Sequence, residues 1–323
     1  MRRWIATVTT TAAVAVAAAA TAPAMIAPAH AQAAPKGPVT APEREQARAL
    51  PKGAVAALKR RQERASAKRA VTALKRQFVA GRGVKVTETI TSRQTGSGGA
   101  FTSRFRTTGA YMFGASGAVA SDLTYAHDSG GSGIRVITTR NASYTSGGFF
   151  GGMLPEGKTW LRWPGPESFS SSVVNALEPT TLKGLLATTE KKRRGGKIDG
   201  VSTTLRTGSI TVRQLYAASP SLRRLLGEKP QGATGDLVID WRLWQDGKQR
   251  TRKLVSSYTE STQGLRGSWR TKVTATSLFR AWGTKITIKA PAAASVLDIE
   301  DWQPEEPLPV MPDLRPPLPG RDR

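Results

Sequence analysis

The 323 residues contain no cysteine and only two histidines. The first absence excludes disulfides, thiolate metal sites and a lipidated amino-terminal cysteine, so in an oxidising compartment the fold must stand on its apolar core. The second leaves too few imidazoles for a transition-metal site of the usual kind, and no cofactor is expected. No Gly-x-Ser-x-Gly elbow occurs, a nucleotide-binding phosphate loop is not expected, and beyond Ala31 no apolar run reaches the roughly 20 residues that span a bilayer. Negative charge is also scarce. Asp and Glu number 23 against 48 Lys and Arg, a formal net charge of +25.

Met1 to Ala31 reads as a targeting segment, with Arg2 and Arg3 ahead of an Ala/Val/Thr-rich run and Ala29-His30-Ala31 at the cleavage position. The remainder of a twin-arginine signal is missing, so general secretion is favoured and the mature start falls near Gln32. Removing Arg2 and Arg3 leaves 46 basic and 23 acidic residues, a net charge of +23, and His127 as the remaining histidine. Such a field suits anionic membrane or cell-wall surfaces. Nucleic acid is set aside because the chain is expected to leave the cytoplasm. The expected location is secreted and extracytoplasmic, not lipid-anchored, and the expected state is a monomer.

Four zones follow: residues 1–31 as signal peptide, 32–52 as an Ala/Pro-rich disordered linker, 53–301 as one domain, and 302–323 as a Pro-rich disordered tail. The tail holds seven prolines and reads as a spacer rather than as a ligand for a polyproline-reading domain. Residues 53–79 open the domain as a helix, with Val71, Leu74 and Phe78 at helical spacing. From Glu43 to Lys85, 13 basic residues face three acidic ones, a local charge of +10. Lys59, Arg60, Arg61, Arg64, Lys68 and Arg69 are therefore the candidate contacts with an anionic surface, against the simpler reading of a solvated helix face.

From Val84 the apolar period becomes two. Val84, Val86, Glu88 and Ile90 share one pleat; Val119, Ser121, Leu123 and Tyr125 repeat it, as do Leu237, Ile239, Trp241 and Leu243, then Trp269, Thr271, Val273 and Ala275, then Ile286 and Ile288. One apolar and one wet face predict an antiparallel sheet. Gly-rich turns join the strands, and Asp246-Gly247 is a good hairpin signal. Lys191 to Lys197 reads as a solvated basic loop. Helices are expected over residues 168–177, with Pro179 as their stop, and over 180–189; Val212, Leu215 and Tyr216 form a turn, and Ser219-Pro220 starts a last helix. The class is α+β.

His127 beside Asp128 is the one pairing that could suggest nucleophilic chemistry, and nothing in the sequence supplies the shaped serine turn a triad needs. Acidic residues on the strands are scattered, so paired-carboxylate chemistry is not expected either. The chain is read as a binding protein and not as an enzyme.

Several short motifs in order carry a family resemblance: Asn141-Ala142-Ser143-Tyr144, then Lys158-Thr159-Trp160-Leu161-Arg162-Trp163-Pro164, the helix to Leu177, Lys197-Ile198-Asp199-Gly200-Val201, and Ala281-Trp282-Gly283-Thr284-Lys285-Ile286-Thr287-Ile288-Lys289-Ala290-Pro291. From about Ala65 to Asp301 this order resembles the LolA-like lipoprotein carriers, in particular their actinobacterial secreted relatives. The resemblance implies an open antiparallel half-barrel, a curved sheet with helices packed on its concave face. It implies lipid binding and transport, with a hydrophobic lipid or acylated-protein partner. On this view Val86, Glu88, Ile90, Leu123 and Tyr125, with Leu237, Ile239, Trp241 and Leu243, line the cleft, and Phe169, Val173 and Leu177 close it. Each buried methylene of an acyl chain would contribute about 0.8 kcal/mol. Two alternatives stay open: an extracytoplasmic lipid-sensing module, and a cationic cell-wall or membrane-surface protein with a filled core and no ligand.

Overall fold

The structure is a computed structural model and describes residues 52–96, 99–128, 130, 133–165, 174–264 and 267–302. The expected signal peptide and tail, together with Phe169 and Val173, lie outside them. Twelve strands form a single sheet in the order β12-β6-β5-β4-β3-β2-β1-β11-β10-β9-β8-β7. The two ends of that order do not pair, so the sheet is open. Every neighbouring pair is antiparallel except β12 (Val296–Asp298) with β6 (Trp160–Pro164), which is parallel.

The centre of the sheet is three long strands, β1 (Arg82–Gly96), β2 (Gly99–Phe113) and β11 (Gly267–Lys285), which set the register of the rest. Val86 lies opposite Phe279, Glu88 opposite Ser277 and Ile90 opposite Ala275. The row continues through β10 (Thr251–Gly264), β9 (Val238–Asp246) and β8 (Val201–Thr211), where Ser277 meets Leu254, Leu254 meets Leu243, and Leu243 meets Arg206. On the other side, β3 (Ala118–His127) brings Leu123 opposite Gly109, and β4 (Ile134–Thr138) and β5 (Ala142–Gly147) extend the sheet to β6. Period-two alternation thus produces the one-sided burial that sequence predicts. The opposite pleat carries Lys85, Asp240 and Arg242, all exposed.

Four helices share a continuous apolar cluster with that buried face. α1 (Lys52–Lys75) contributes Ala67, Ala70 and Leu74, three positions that its 3.6-residue repeat puts on one side. α2 (Pro179–Ala187) supplies Leu182, Leu185 and Leu186, α3 (Val212–Ala218) Leu215, and α4 (Pro220–Leu226) Leu222, while the short α5 (Gly232–Asp236) packs beside α3. Thr211 and Gln214 form a capping box on α3, and Ser219 caps α4 through the Leu222 amide. The Glu178 carboxylate ties two helix starts together: it accepts from the Thr181 hydroxyl at 2.7 Å, the Ser219 hydroxyl at 2.9 Å and the Ser221 amide at 2.9 Å.

Besides Val212–Ala218, which is the helix α3 where a turn was expected, four expectations change. Residues 174–178 form a turn rather than the end of a helix, and Pro179 starts α2 at its first turn, where a missing amide hydrogen is harmless. The basic run is not a loop; it forms most of β7 (Thr189–Ile198). Its partner β8 is reached through Asp199-Gly200, both with positive φ (48° and 77°), the geometry of a tight primed hairpin turn. The third change is at the carboxyl end: Ile286 and Ile288 are not a strand, because β11 bulges against β1 between Arg280 and Thr284 and stops at Lys285. Finally, Trp302 does not start a free tail. It is buried with Phe150 and Leu161 in a small second cluster behind β6 and β12.

Candidate functional site

The residues expected to line a cleft fall together on the buried pleat of the sheet. Val86, Glu88, Ile90, Leu123, Ile239, Trp241 and Leu243 are all buried there, with Tyr125 and Leu237 half-buried at the margin and Leu177 buried in the turn before α2. Leu182, Leu185 and Leu186 of α2 and Leu215 of α3 belong to the same apolar cluster. Trp241 is held by its indole N–H, which donates to the Thr188 hydroxyl at 3.1 Å just past α2, and its ring lies against Gly208. A β-carbon at Gly208 would come within 2.1 Å of the Thr188 carbonyl, so this close approach needs glycine.

Two clefts open beside this core. The larger, about 430 Å3, lies at the β2–β3 side, where Tyr111, Ala118, Leu177 and Pro179 meet Arg140, Arg224 and Glu178. Tyr111 and Leu177 belong to the core itself, so the apolar interior reaches solvent at this point. The smaller, about 300 Å3, lies between α1, the end of α2 and the β7–β8 edge; Gln62, Ser66, Ala67, Leu186, Thr189, Glu190, Lys192 and Arg206 surround it.

Polar groups inside the core are fewer but informative. Glu88 accepts a short hydrogen bond of 2.5 Å from the Ser277 hydroxyl across the β1–β11 ladder. The Tyr258 hydroxyl, on β10 next to Val273, has no hydrogen-bond partner among the described residues, and burial, with a smaller push from Glu260, raises its pKa. Arg206 is 3% exposed and binds only neutral acceptors: Gln245, the Ser66 hydroxyl at 2.6 Å and Gln249 at 3.4 Å. Sequence patterning had no means of finding Arg206, since a lone arginine on a strand reads as solvent-facing.

The candidate surface contacts are on α1, where Arg61, Lys68 and Arg69 are exposed. Lys59, Arg60 and Arg64 share that helix. His127 packs edge-on against Phe105 at 4.6 Å between ring centres, and Asp128 pairs with Arg104 at 3.2 Å. Residues 152–159 spell the Gly-x-x-x-x-Gly-Lys-Thr pattern of a phosphate loop, which the motif reading passed over. The structure gives it another role. The segment leads into strand β6 instead of a helix, and the Lys158 ammonium donates to the Ala294 and Val296 carbonyls at 3.0 and 2.9 Å, clamping β12 onto the sheet. Arg162 and Asp298 reinforce that clamp at 2.7 Å. Among the described residues there is no cluster of groups able to hold a metal and no helix long and apolar enough to cross a membrane.

No family profile matches the chain, and no curated protein does. Among solved structures it is similar to a DUF1329 family protein from Desulfovibrio piger, at 13% identity over 70% of this chain and 94% of that one, with a TM-score of 0.22. It is also similar to a putative outer membrane lipoprotein-sorting protein domain from Vibrio parahaemolyticus (11% identity, 67% and 92% coverage, TM-score 0.22). A LolA superfamily protein from Nitrosomonas europaea matches at 10% identity over 67% of this chain and 94% of its own, again with a TM-score of 0.22. At this degree of overlap, what the chain binds has to be argued from its own geometry.

Proposed function

We propose that the protein is a secreted lipid or lipoprotein carrier whose open sheet shelters an acyl ligand, with α1 to α4 lying across the concave face as its cover. The observation that carries this reading is the cleft of about 430 Å3 at which core residues Tyr111 and Leu177 line an opening to solvent. A pocket of that size with an apolar floor and a few charged groups at its rim is what a small hydrophobic ligand requires. An acyl chain entering there would continue the existing core, and displacement of the short α2–α4 segments would lengthen the path along Leu123, Val86 and Ile239.

The competing reading is a cationic surface-binding protein with a filled core. It is favoured by the burial of Val86, Ile239, Trp241 and Leu243 beneath helices. One experiment separates the two. Under the carrier reading, an uncharged fluorescent acylglycerol binds the purified protein, and Ala118→Trp, at a half-buried position in the cleft wall, weakens that binding about tenfold or more while circular dichroism shows the fold retained. Native mass spectrometry of the secreted protein shows an added acyl mass. No bound mass and no acylglycerol binding would leave the filled-core reading in its place.

A further inference from the structure

The smaller cleft is not accounted for by an acyl ligand alone, because one of its buried lining groups, Arg206, is a charge. Arg206 sits on β8 opposite Leu243, and its guanidinium is buried and bonded to Ser66 of α1. A buried cation is ordinarily stabilised by a carboxylate, since an uncompensated charge costs several kcal/mol. Here none of the ion pairs among the described residues includes Arg206. Its acceptors are a serine hydroxyl and two glutamine carbonyls, using three of the five N–H donors a guanidinium has. Burial, and Arg69 nearby on α1, both lower its proton affinity, so its neighbours do not hold the charge in place.

The cleft that reaches this guanidinium has the donors an oxyanion needs. Ser66 and Gln62 line one wall from α1, and Lys192 lines the other from β7; Glu190, the one acid among the described lining residues, is engaged by the Ser209 hydroxyl at 2.8 Å. Of the charged lining groups Arg206 and Lys192 are positive and Glu190 negative, leaving one net positive charge, with Arg69 adding to the local potential. We propose that this cleft is a binding site for a phosphate-type oxyanion, with Arg206 as its floor and Lys192 and Gln62 at its rim. A bound phosphate would supply the counter-charge that the described residues do not and accept the remaining guanidinium N–H groups, the geometry in which arginine binds phosphate best. About 300 Å3 admits the group and some of what carries it, whether a lipid headgroup or free phosphate. The proposal goes beyond the carrier reading and does not rest on it.

Thermal unfolding of the full secreted chain in chloride and in inorganic phosphate, at matched ionic strength, tests it. Phosphate should raise the midpoint of the wild type and leave that of Arg206→Met unchanged. The variant itself should be no less stable in chloride, because it exchanges a buried charge for an apolar stem. Gln62→Glu adds a carboxylate to the lining and should abolish the phosphate response with the fold intact; it decides the matter if Arg206→Met does not fold. Absence of a phosphate effect on the wild type, or an equal effect on the wild type and the variants, overturns the site. A short-chain phosphatidate below its micelle concentration distinguishes the sources: affinity about tenfold or more above inorganic phosphate assigns a lipid headgroup, and equal affinity a free anion, both with the same loss in Arg206→Met. The uncharged acylglycerol assay, independent of Arg206, keeps the failure of this site distinct from the failure of the carrier reading.

Discussion

Tyr258 shows how a single atom in the apolar face can be read. Its ring fills space beside Val273, yet its hydroxyl finds no partner among the described residues, which costs about 1–3 kcal/mol. Burial keeps the phenol protonated beyond its ordinary value of 10.0. Below that pH both folded and unfolded chains hold the proton and nothing is lost. Above it the unfolded chain releases the proton while the folded chain keeps it, so stability falls by about 1.4 kcal/mol for each further pH unit. Urea unfolding of the wild type should therefore lose stability between pH 9 and 11 more steeply than that of Tyr258→Phe, with the variant equal or more stable at pH 8. Equal slopes would show that the hydroxyl is satisfied in solution. Tyr258 was not legible in advance, since the run Tyr258-Thr259-Glu260 reads as an ordinary alternating strand. Glu88 was, because a carboxylate among Val84, Val86 and Ile90 breaks the apolar pleat and has to find a donor, which Ser277 provides.

Among the elements that sequence reading placed in the wrong class, β7 has a clear physical reason. Lys191-Lys192-Arg193-Arg194 has neither the β-branched residues nor the alternation of a strand, and Gly195-Gly196 normally marks a turn. β7 needs neither, because it is an edge strand exposed along most of its length and held by backbone pairing to β8. Its irregular register at Thr189/Lys191 and Arg194/Gly196, with charge on six of its ten residues, is how natural sheets prevent an edge from pairing with another molecule. Replacing Lys191 and Arg193 by Val should leave the fold in place and raise self-association several-fold, seen as larger species by size-exclusion chromatography with light scattering. An unchanged elution profile would mean the bulges alone protect the edge. By contrast β1, β3 and β9 were legible from period two, and α4 from Ser219-Pro220, because in each the local signal and the tertiary environment agree.

Taken as one body, the molecule combines a sheet with one apolar face and a surface carrying a large excess of positive charge. The charge is concentrated on two elements. Arg61, Lys68 and Arg69 are exposed on α1, and Lys191, Lys192, Arg193, Arg194 and Lys197 on β7, the two elements that flank the Arg206 cleft. If this region meets an anionic membrane, each basic residue near the surface adds about 1 kcal/mol, and the attraction decays over the Debye length, about 8 Å at physiological ionic strength and about 3 Å at 1 M. Binding to vesicles containing anionic lipid should therefore fall steeply as salt rises, while binding to neutral vesicles stays weak throughout. Deleting the residues before Ala65 removes Lys59, Arg60, Arg61 and Arg64 but retains Ala67, Ala70 and Leu74, which anchor α1 in the core. The shortened protein should keep its fold and bind anionic vesicles more weakly and with a shallower salt dependence, since β7 still presents its charges. Sedimentation of vesicles across a salt series, with circular dichroism as the check on folding, measures both quantities. Equal binding to neutral and anionic vesicles would show that apolar contact, and not this charge, brings the protein to a membrane.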